Sequence, residues 1–298
     1  MNKVAFVGLG SMGLGMAQSL RRGGFEVFAC DARPGAAETF AREGGVACDT
    51  PARAAMECDV VVSVVVNAAQ TEDVLFGEGG AVDAMRPGNV FVMCSTVPPS
   101  WSARMERRLA EHGILFLDAP ISGGAVKAAA GQITMMTSGA PEAYVQAQST
   151  LEAMSATIYR LGDTAGAGSK VKIINQLLAG VHIAAAAEAM ALGLREGVDP
   201  NQLYEVITHS AGNSWMFENR MTHVLEGDYS ARSAVDIFVK DLGLVLDTAR
   251  ESRFPLPLAA LAHQLFMQAS AAGHGREDDA AVIKVYPGID LPKGGSDG

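Results

Sequence analysis

The chain has 298 residues, 49% of them hydrophobic and 19% charged, with a net charge of −10. That length suffices for two domains with full cores. The acidic balance argues against a general nucleic-acid or anionic-membrane binder, because both need an exposed basic surface. No apolar run approaches the ~20 residues of a membrane span, and a first strand beginning at Lys3 leaves no room for a signal peptide. Cys30, Cys48, Cys58 and Cys94 lack metal-type spacing, and three of them lie in or beside apolar segments. They read as small core residues in a reducing cytoplasm, with no metal site.

Val4–Val7 reads as a buried strand, followed at once by Gly8-Leu9-Gly10-Ser11-Met12-Gly13 and a helical run to Leu20. Between a strand and a helix, this glycine spacing reads as a dinucleotide loop. Gly8 makes the tight turn, Gly10 lets backbone approach a pyrophosphate, and Gly13 permits close helix–strand packing. Phe25–Ala29 makes a second strand, and Asp31 lies 18 residues past Gly13. A carboxylate there would accept the adenosine ribose hydroxyls and repel a 2′-phosphate, favouring NAD over NADP. Arg33 could partly undo that preference, and the alternative to ribose binding is that Asp31 merely starts a solvated turn before Arg33-Pro34-Gly35.

Val60–Val66 is a continuous β-branched run, as expected of a central parallel strand. Val66 and Asn67 then lie at its carboxyl end, where open α/β sheets bind ligands. After the strand Val90–Cys94, Thr96 either hydrogen-bonds a cofactor or serves in a turn or cap. Pro99–Glu111 reads as a helix, and the strand Ile114–Leu117 runs into Asp118-Ala119-Pro120-Ile121-Ser122-Gly123-Gly124. Backbone N–H groups at that turn, with the Ser122 hydroxyl, suit a carboxylate; a simple strand–helix connection is the alternative. Ile133–Thr137, a helix over Pro141–Met154 and a strand over Ile158–Leu161 complete a β/α alternation. The expected fold of residues 1–163 is a doubly wound, Rossmann-type α/β domain.

From 164 to 298 every segment reads as helical. A long helix, about 167–196, joins the two domains and carries Lys170 and Lys172 in its first turn. The macrodipole disfavours cations at that end by ~0.3–1 kcal/mol each. Lys170 reads as reaching into water, whereas Lys172 invites a functional reading. At the domain junction it would face a cleft between the domains, with Asn175 and Gln176 on its helix face. Pro200–Thr208, a stretch near Trp215–Arg220, Ser233–Glu251, Leu256–Ala272 and Asp278–Tyr286 follow, and Pro292–Gly298 looks like a frayed tail. His182 reads as a core or subunit contact, and His209 as a weaker candidate for lining a pocket. Ala184–Ala187 suggest close packing in a homodimer or homotetramer.

Four features now coincide in order: GLGSMG at 8–13, DAPISGG at 118–124, G-x-G-x-x-x-K with Asn-Gln at 166–176, and Phe238-Val239-Lys240-Asp241-Leu242-Gly243. Together they resemble the β-hydroxyacid dehydrogenases of the 6-phosphogluconate dehydrogenase superfamily, over nearly the whole chain. The resemblance implies a Rossmann-type domain followed by an all-α domain, NAD as cofactor, and a small hydroxy acid as substrate. It makes Lys172 the catalytic lysine. Ser122, Gly123 and Gly124 become the substrate-carboxylate loop, with Asn175 and Gln176 orienting substrate. Thr96, Lys240 and Phe238 join Gly8–Gly13, Asp31, Val66 and Asn67 as cofactor contacts. The stretches KIINQLLAGVHIAAAAEAMAL, THSAGNSWMFENRM and SAVDIFVKDLGLV narrow the resemblance to members that oxidise a four-carbon sugar acid at C2, although 3-hydroxy acids are the usual substrates.

The family often has Asn-Asn where this chain has Asn175-Gln176, which leaves open the amide that touches substrate. Lys127 is either a second carboxylate partner or a solvated helix lysine. An ordinary lysine, with pKa ~10.4, is charged at neutral pH and cannot act as a base. A helix N-terminus, desolvation and a second cation such as Lys240 would lower it, and a bound carboxylate would raise it. A non-catalytic dinucleotide-binding scaffold would be expected to have lost Lys172 or the Ser122-Gly123-Gly124 loop.

Overall fold

β-branched and aromatic residues fall where strands form, and proline or side-chain caps open several of the helices between them. In a computed structural model, which describes residues 2–293, the chain begins β1 (Lys3–Val7), α1 (Gly13–Arg22), β2 (Glu26–Cys30), α2 (Ala36–Arg42) and β3 (Val46–Ala47). It continues with α3 (Pro51–Ala55), β4 (Val60–Ser63), α4 (Ala68–Phe76), β5 (Val90–Met93), α5 (Pro99–Ala110) and β6 (Leu115–Asp118). These six strands form one parallel sheet in the order β3-β2-β1-β4-β5-β6. The order reverses between β1 and β4, which makes the loops after those two strands the switch point of a dinucleotide-binding sheet. Phe6, Phe91, Met93 and Leu117 are fully buried, as strands covered on both faces require.

Two expectations are corrected here. The run Val60–Val66 leaves the sheet after Ser63, because its partner β1 ends at Val7 and Gly8 turns away; Val64 keeps a single bond to the Val7 carbonyl. The later strands also do not extend the main sheet. Pro120 has no N–H to continue a ladder, and beyond it β7 (Ile121–Ser122) pairs antiparallel with β8 (Ile133–Thr137). With β9 (Ser155–Arg160), parallel to β8, they make a second, three-stranded sheet. α6 (Gly124–Ala129) and α7 (Pro141–Met154) connect its strands. A bridge between Asp118 and Ser138 ties the end of β6 to the residue after β8.

The chain divides into two compact units, one ending at Lys172 and the other beginning at Ile173. α8 (Ala167–Arg195) runs through that boundary; α9 (Pro200–Thr208), α10 (Trp215–Glu226), α11 (Val235–Glu251) and α12 (Pro257–Ala269) follow. The expected helix over Leu256–Ala272 breaks after Ala269 into an irregular turn where Gly273 takes φ 97°. Asp279–Val285 is a 3-10 helix. Positions 294–298 of the expected tail lie outside the described residues. α8 is long and apolar enough to cross a membrane by length and composition, but half of its most apolar stretch is buried inside the protein.

The alanines expected on an outward face are largely inside: Ala184, Ala186 and Ala187 belong to the core of the second unit with Met190, Phe217, Phe238 and Phe266. Gly180 permits that packing, since a Cβ there would come 2.9 Å from Leu242. His182, read as a core or subunit contact, is exposed, which removes the core reading.

Candidate active site

The glycine loop has the shape its spacing predicts. Gly8 takes φ 98°, and a Cβ there would fall 2.4 Å from the Val64 carbonyl oxygen, so the loops after β1 and β4 meet at the switch point. A Cβ on Gly13 would fall 1.9 Å from the Gly8 oxygen, whereas one on Gly10 would meet nothing within 4 Å. Gly10 thus leaves open the side from which a pyrophosphate approaches, and no side chain caps α1. The residues fit a dinucleotide.

Asp31 follows β2 and receives the Leu9 N–H at 2.6 Å on Oδ2 and the Arg33 N–H at 2.8 Å on Oδ1. The Arg33 guanidinium lies against the same carboxylate and also donates to the Leu9 carbonyl at 2.7 Å. Burial alone would raise the Asp31 carboxyl, but the bonds from Arg33 and Leu9 outweigh it and hold it below the usual range. Arg33 therefore offsets the charge that would reject a 2′-phosphate. Arg33→Ala is expected to raise the NAD/NADP ratio of kcat/KM by about threefold, on the scale of one exposed charge contact. Paired assays with the two cofactors measure it, and an unchanged ratio would remove Arg33 from cofactor selection.

Val66 is exposed, and its N–H is taken by Gln70 Oε1 at 2.9 Å. Asn67 caps α4 by accepting the Gln70 N–H at 2.9 Å. Both remain at the carboxyl end of β4, beside the glycine loop. Thr96 is half-buried one residue after Ser95, whose hydroxyl donates to the Val65 carbonyl at 2.8 Å.

In the carboxylate loop Gly123 and Gly124 have φ 136° and 76°, left-handed values that favour glycine. Together they open α6 with no side-chain cap. Lys127 is exposed, and its aliphatic stem packs over Gly123. The two lysines at the start of α8 are separated clearly: Lys170 is exposed and Lys172 is only 7% exposed. Amides at the start of this helix are also engaged, since the fully buried Asp118 accepts the N–H groups of Gly166, the residue before it, and Ser169 in its first turn, each at 2.9 Å. Burial pushes the Asp118 carboxyl up, and the bonds from Ser169, Gly166 and Ser102 only partly counter it. The positive end of the helix dipole at this turn is thus partly answered by Asp118 before it reaches Lys172.

In the second unit Gln176, also 7% exposed, donates to Asp241 Oδ2 at 2.5 Å and accepts the Asn175 amide at 3.0 Å. Lys240 Nζ lies 2.6 Å from Asp241 Oδ1, a charge contact rather than an aligned hydrogen bond. Asp241 thus gathers Gln176 and Lys240, a role the sequence left unread. Its signal was a carboxylate on the stripe Phe238, Leu242, Val245 that buries α11. Phe238 is stacked in the core on Phe266, with ring centroids 5.2 Å apart. His209 is exposed and bonds the Glu205 carbonyl of its own helix. Among the described residues no group of three or more His, Cys, Asp or Glu side chains could hold a metal ion.

Residues 3–162 match the family model described as the NAD binding domain of 6-phosphogluconate dehydrogenase. Residues 166–286 match the one described as the NAD-binding domain of NADP-dependent 3-hydroxyisobutyrate dehydrogenase. The chain is 66% identical to an L-threonate dehydrogenase of Cupriavidus necator, over 97% of each chain. It is 51% identical to the protein of that name from Escherichia coli K12, over 97% of this chain and 96% of that one. A crystal structure named 3-hydroxyisobutyrate dehydrogenase, from Salmonella typhimurium, superposes with a TM-score of 0.92 at 51% identity, covering 96% of this chain and 100% of the other. The chain belongs to the β-hydroxyacid dehydrogenase family and is an NAD(P)-dependent oxidoreductase acting on hydroxy acids.

Proposed function

We propose that the chain oxidises L-threonate at C2 to 2-dehydro-L-erythronate, with NAD as the preferred cofactor and Lys172 as the acid/base. The observation that carries the choice of substrate is the 66% identity, across 97% of both chains, to a protein named for that activity. Gly123, Gly124 and the Ser122 hydroxyl hold the substrate carboxylate. Lys172, unprotonated, takes the proton from the C2 hydroxyl as the C2–H bond breaks. Bound NAD supplies the hydride acceptor, C4 of the nicotinamide, and Gly8–Gly13 with Asp31 hold its pyrophosphate and ribose. In the reverse direction Lys172 gives its proton to the carbonyl oxygen. A buried amine loses the hydration of its charged form, the condition a lysine needs to accept a proton near neutral pH.

Asn175 is the amide that meets substrate. Gln176 Nε2 is committed to Asp241 and its Oε1 to Asn175, which leaves the Asn175 carbonyl oxygen to accept from a substrate hydroxyl. Gln176 is then a support for Asn175, and Asp241 with Lys240 a support for both. Thr96 and Lys240 serve the cofactor.

A second reading is 3-hydroxyisobutyrate, favoured by the name of the superposing Salmonella structure. The two differ by polar hydroxyls, which a hydrogen-bonding site discriminates far better than it does methylenes. The test is NAD(P) reduction over a panel of L-threonate, D-erythronate, D-glycerate and 3-hydroxyisobutyrate. L-Threonate is expected to give the highest kcat/KM, and activity confined to the last two would overturn the assignment.

We also propose a cytoplasmic homo-oligomer. Ile174, Leu178 and Leu192 of α8 and Phe254, Leu258 and Leu261 near α12 are each more than half exposed in one chain. Such surface suits a second copy better than water. A solution mass equal to one chain would count against it.

A further inference from the structure

Asp118 ends β6, the strand leading into the substrate loop, and its carboxylate bonds the start of α8. Its backbone exchanges two hydrogen bonds with Ser138, at 3.0 and 2.8 Å. Its side chain is 0% exposed and collects five donors. Oδ2 accepts the N–H groups of Gly166 and Ser169, each at 2.9 Å, and the Ser138 hydroxyl at 3.2 Å. Oδ1 accepts the Ser169 hydroxyl at 2.6 Å and the Ser102 hydroxyl at 3.2 Å. Ser138 Oγ in turn accepts the Gly168 N–H at 2.9 Å.

The cap of α8 is therefore supplied by distant strands. A helix start usually satisfies its first amides with a side chain from the preceding residue. Here that residue is Gly166, whose φ of 113° favours glycine, and the acceptors come from β6 and from the residue after β8. Gly168 permits the approach: a Cβ on it would lie 2.3 Å from the Met136 carbonyl oxygen and 3.0 Å from that of Asp118. Three residues beyond Ser169 along α8 is Lys172. Four residues beyond Asp118 along the chain is Ser122, with the Pro120 carbonyl held by the Met136 N–H at 2.9 Å.

We propose that Asp118 is a positioning residue for the reaction, fixing the first turn of α8, and with it Lys172, in one frame with the Ser122-Gly123-Gly124 loop. This rests on Lys172 being the acid/base. Asp118 is 0% exposed and acts through the helical turn that carries Lys172 rather than on the reacting groups.

The test measures kcat and KM for the best substrate of the panel, with NADH affinity by fluorescence, at a temperature where each variant is folded by circular dichroism. Asp118→Ala is expected to lower kcat by about 100-fold, the scale of a 1 Å misplacement of a reacting group, with NADH affinity unchanged. Asp118→Asn is expected to recover to within about tenfold of wild type, because its carbonyl can still accept the two amides while the serine hydroxyls rotate to accept its NH2. A folded Asp118→Ala enzyme with wild-type kcat would make Asp118 merely structural and overturn the proposal. So would an Asp118→Asn variant as slow as Asp118→Ala, because charge rather than placement would then be what matters. Should Asp118→Ala not fold, the double variant Ser102→Ala/Ser169→Ala strips both hydroxyl donors from Oδ1. A kcat loss of about tenfold or more supports the proposal there, and wild-type kcat overturns it. Lys172→Ala run alongside separates the failures. If Lys172→Ala keeps full turnover, the acid/base reading fails and takes the positioning role with it; if only the Asp118 variants are normal, the positioning role alone fails.

Discussion

Lys172→Ala is expected to lower kcat by about 10²–10⁴-fold, the usual worth of a positioned general acid/base, while NADH binds as in the wild type. Lys172→Arg is expected to be as slow, and it is the more telling of the two. Arginine keeps the cation and nearly the reach but cannot give up its proton in a protein. An electrostatic anchor for the substrate carboxylate would survive that change, with KM near normal. A proton acceptor would not, and kcat would fall at saturating substrate. Steady-state kinetics in both directions, with NADH titration for cofactor affinity, decide it. Wild-type turnover in the alanine variant would remove Lys172 from the chemistry.

That lysine illustrates what local sequence carries. Lys170 and Lys172 are two residues apart in the same helical turn, and helical geometry turns them about 200° from each other. Lys170 is exposed, as its reading required, and Lys172 is buried. The glycine loop was equally legible, because each glycine answers a local demand: φ at Gly8, open space at Gly10, helix–strand contact at Gly13. The Val60–Val66 run was over-read because a β-branched stretch signals burial and strand tendency but not where a neighbouring strand stops. The separate sheet of β7, β8 and β9 depends on pairings that no period of two reveals. Asp118 stood inside a quoted motif, yet its partners Ser102, Ser138, Gly166 and Ser169 lie 16 to 51 residues away. Hydrogen bonds over such separations leave no periodic trace. Asp241 was closer to legible, as a charge on a buried helical stripe. The alanines of α8 pointed the wrong way because a small residue permits close packing without saying against what.

Arg220→Leu is expected to destabilise the folded chain by about 3–5 kcal/mol, the cost of stranding one partner of a buried ion pair. Arg220 Nε and Nη2 lie 2.5 and 3.1 Å from the two oxygens of Asp279, which is completely buried. Nearby Asp278 accepts from His223 Nδ1–H at 2.8 Å, and the other imidazole nitrogen takes Arg232 at 2.8 Å. These charges bind α10 to the closing 3-10 turn, far in sequence from Lys172, so a loss there should appear in Tm before it appears in kcat. Burial already lifts the Asp279 carboxyl to about 6 despite Arg220, against an ordinary value of 3.8. A folded pKa above the unfolded one means the folded chain holds more protons between those values. The contribution of Asp279 to stability is therefore full at low pH and is lost as pH rises through about 6. Without Arg220 the carboxyl is lifted further, so the stability deficit of the variant is expected to be larger at pH 8 than at pH 5. The double variant Arg220→Leu/Asp279→Leu removes the stranded charge and is expected to recover most of the loss, with a flatter pH dependence. Urea unfolding of the three variants at the two pH values measures all of this. A deficit in Arg220→Leu that is the same at both pH values and unrelieved in the double variant would mean that lost packing, not a buried carboxylate, is what Arg220 prevents.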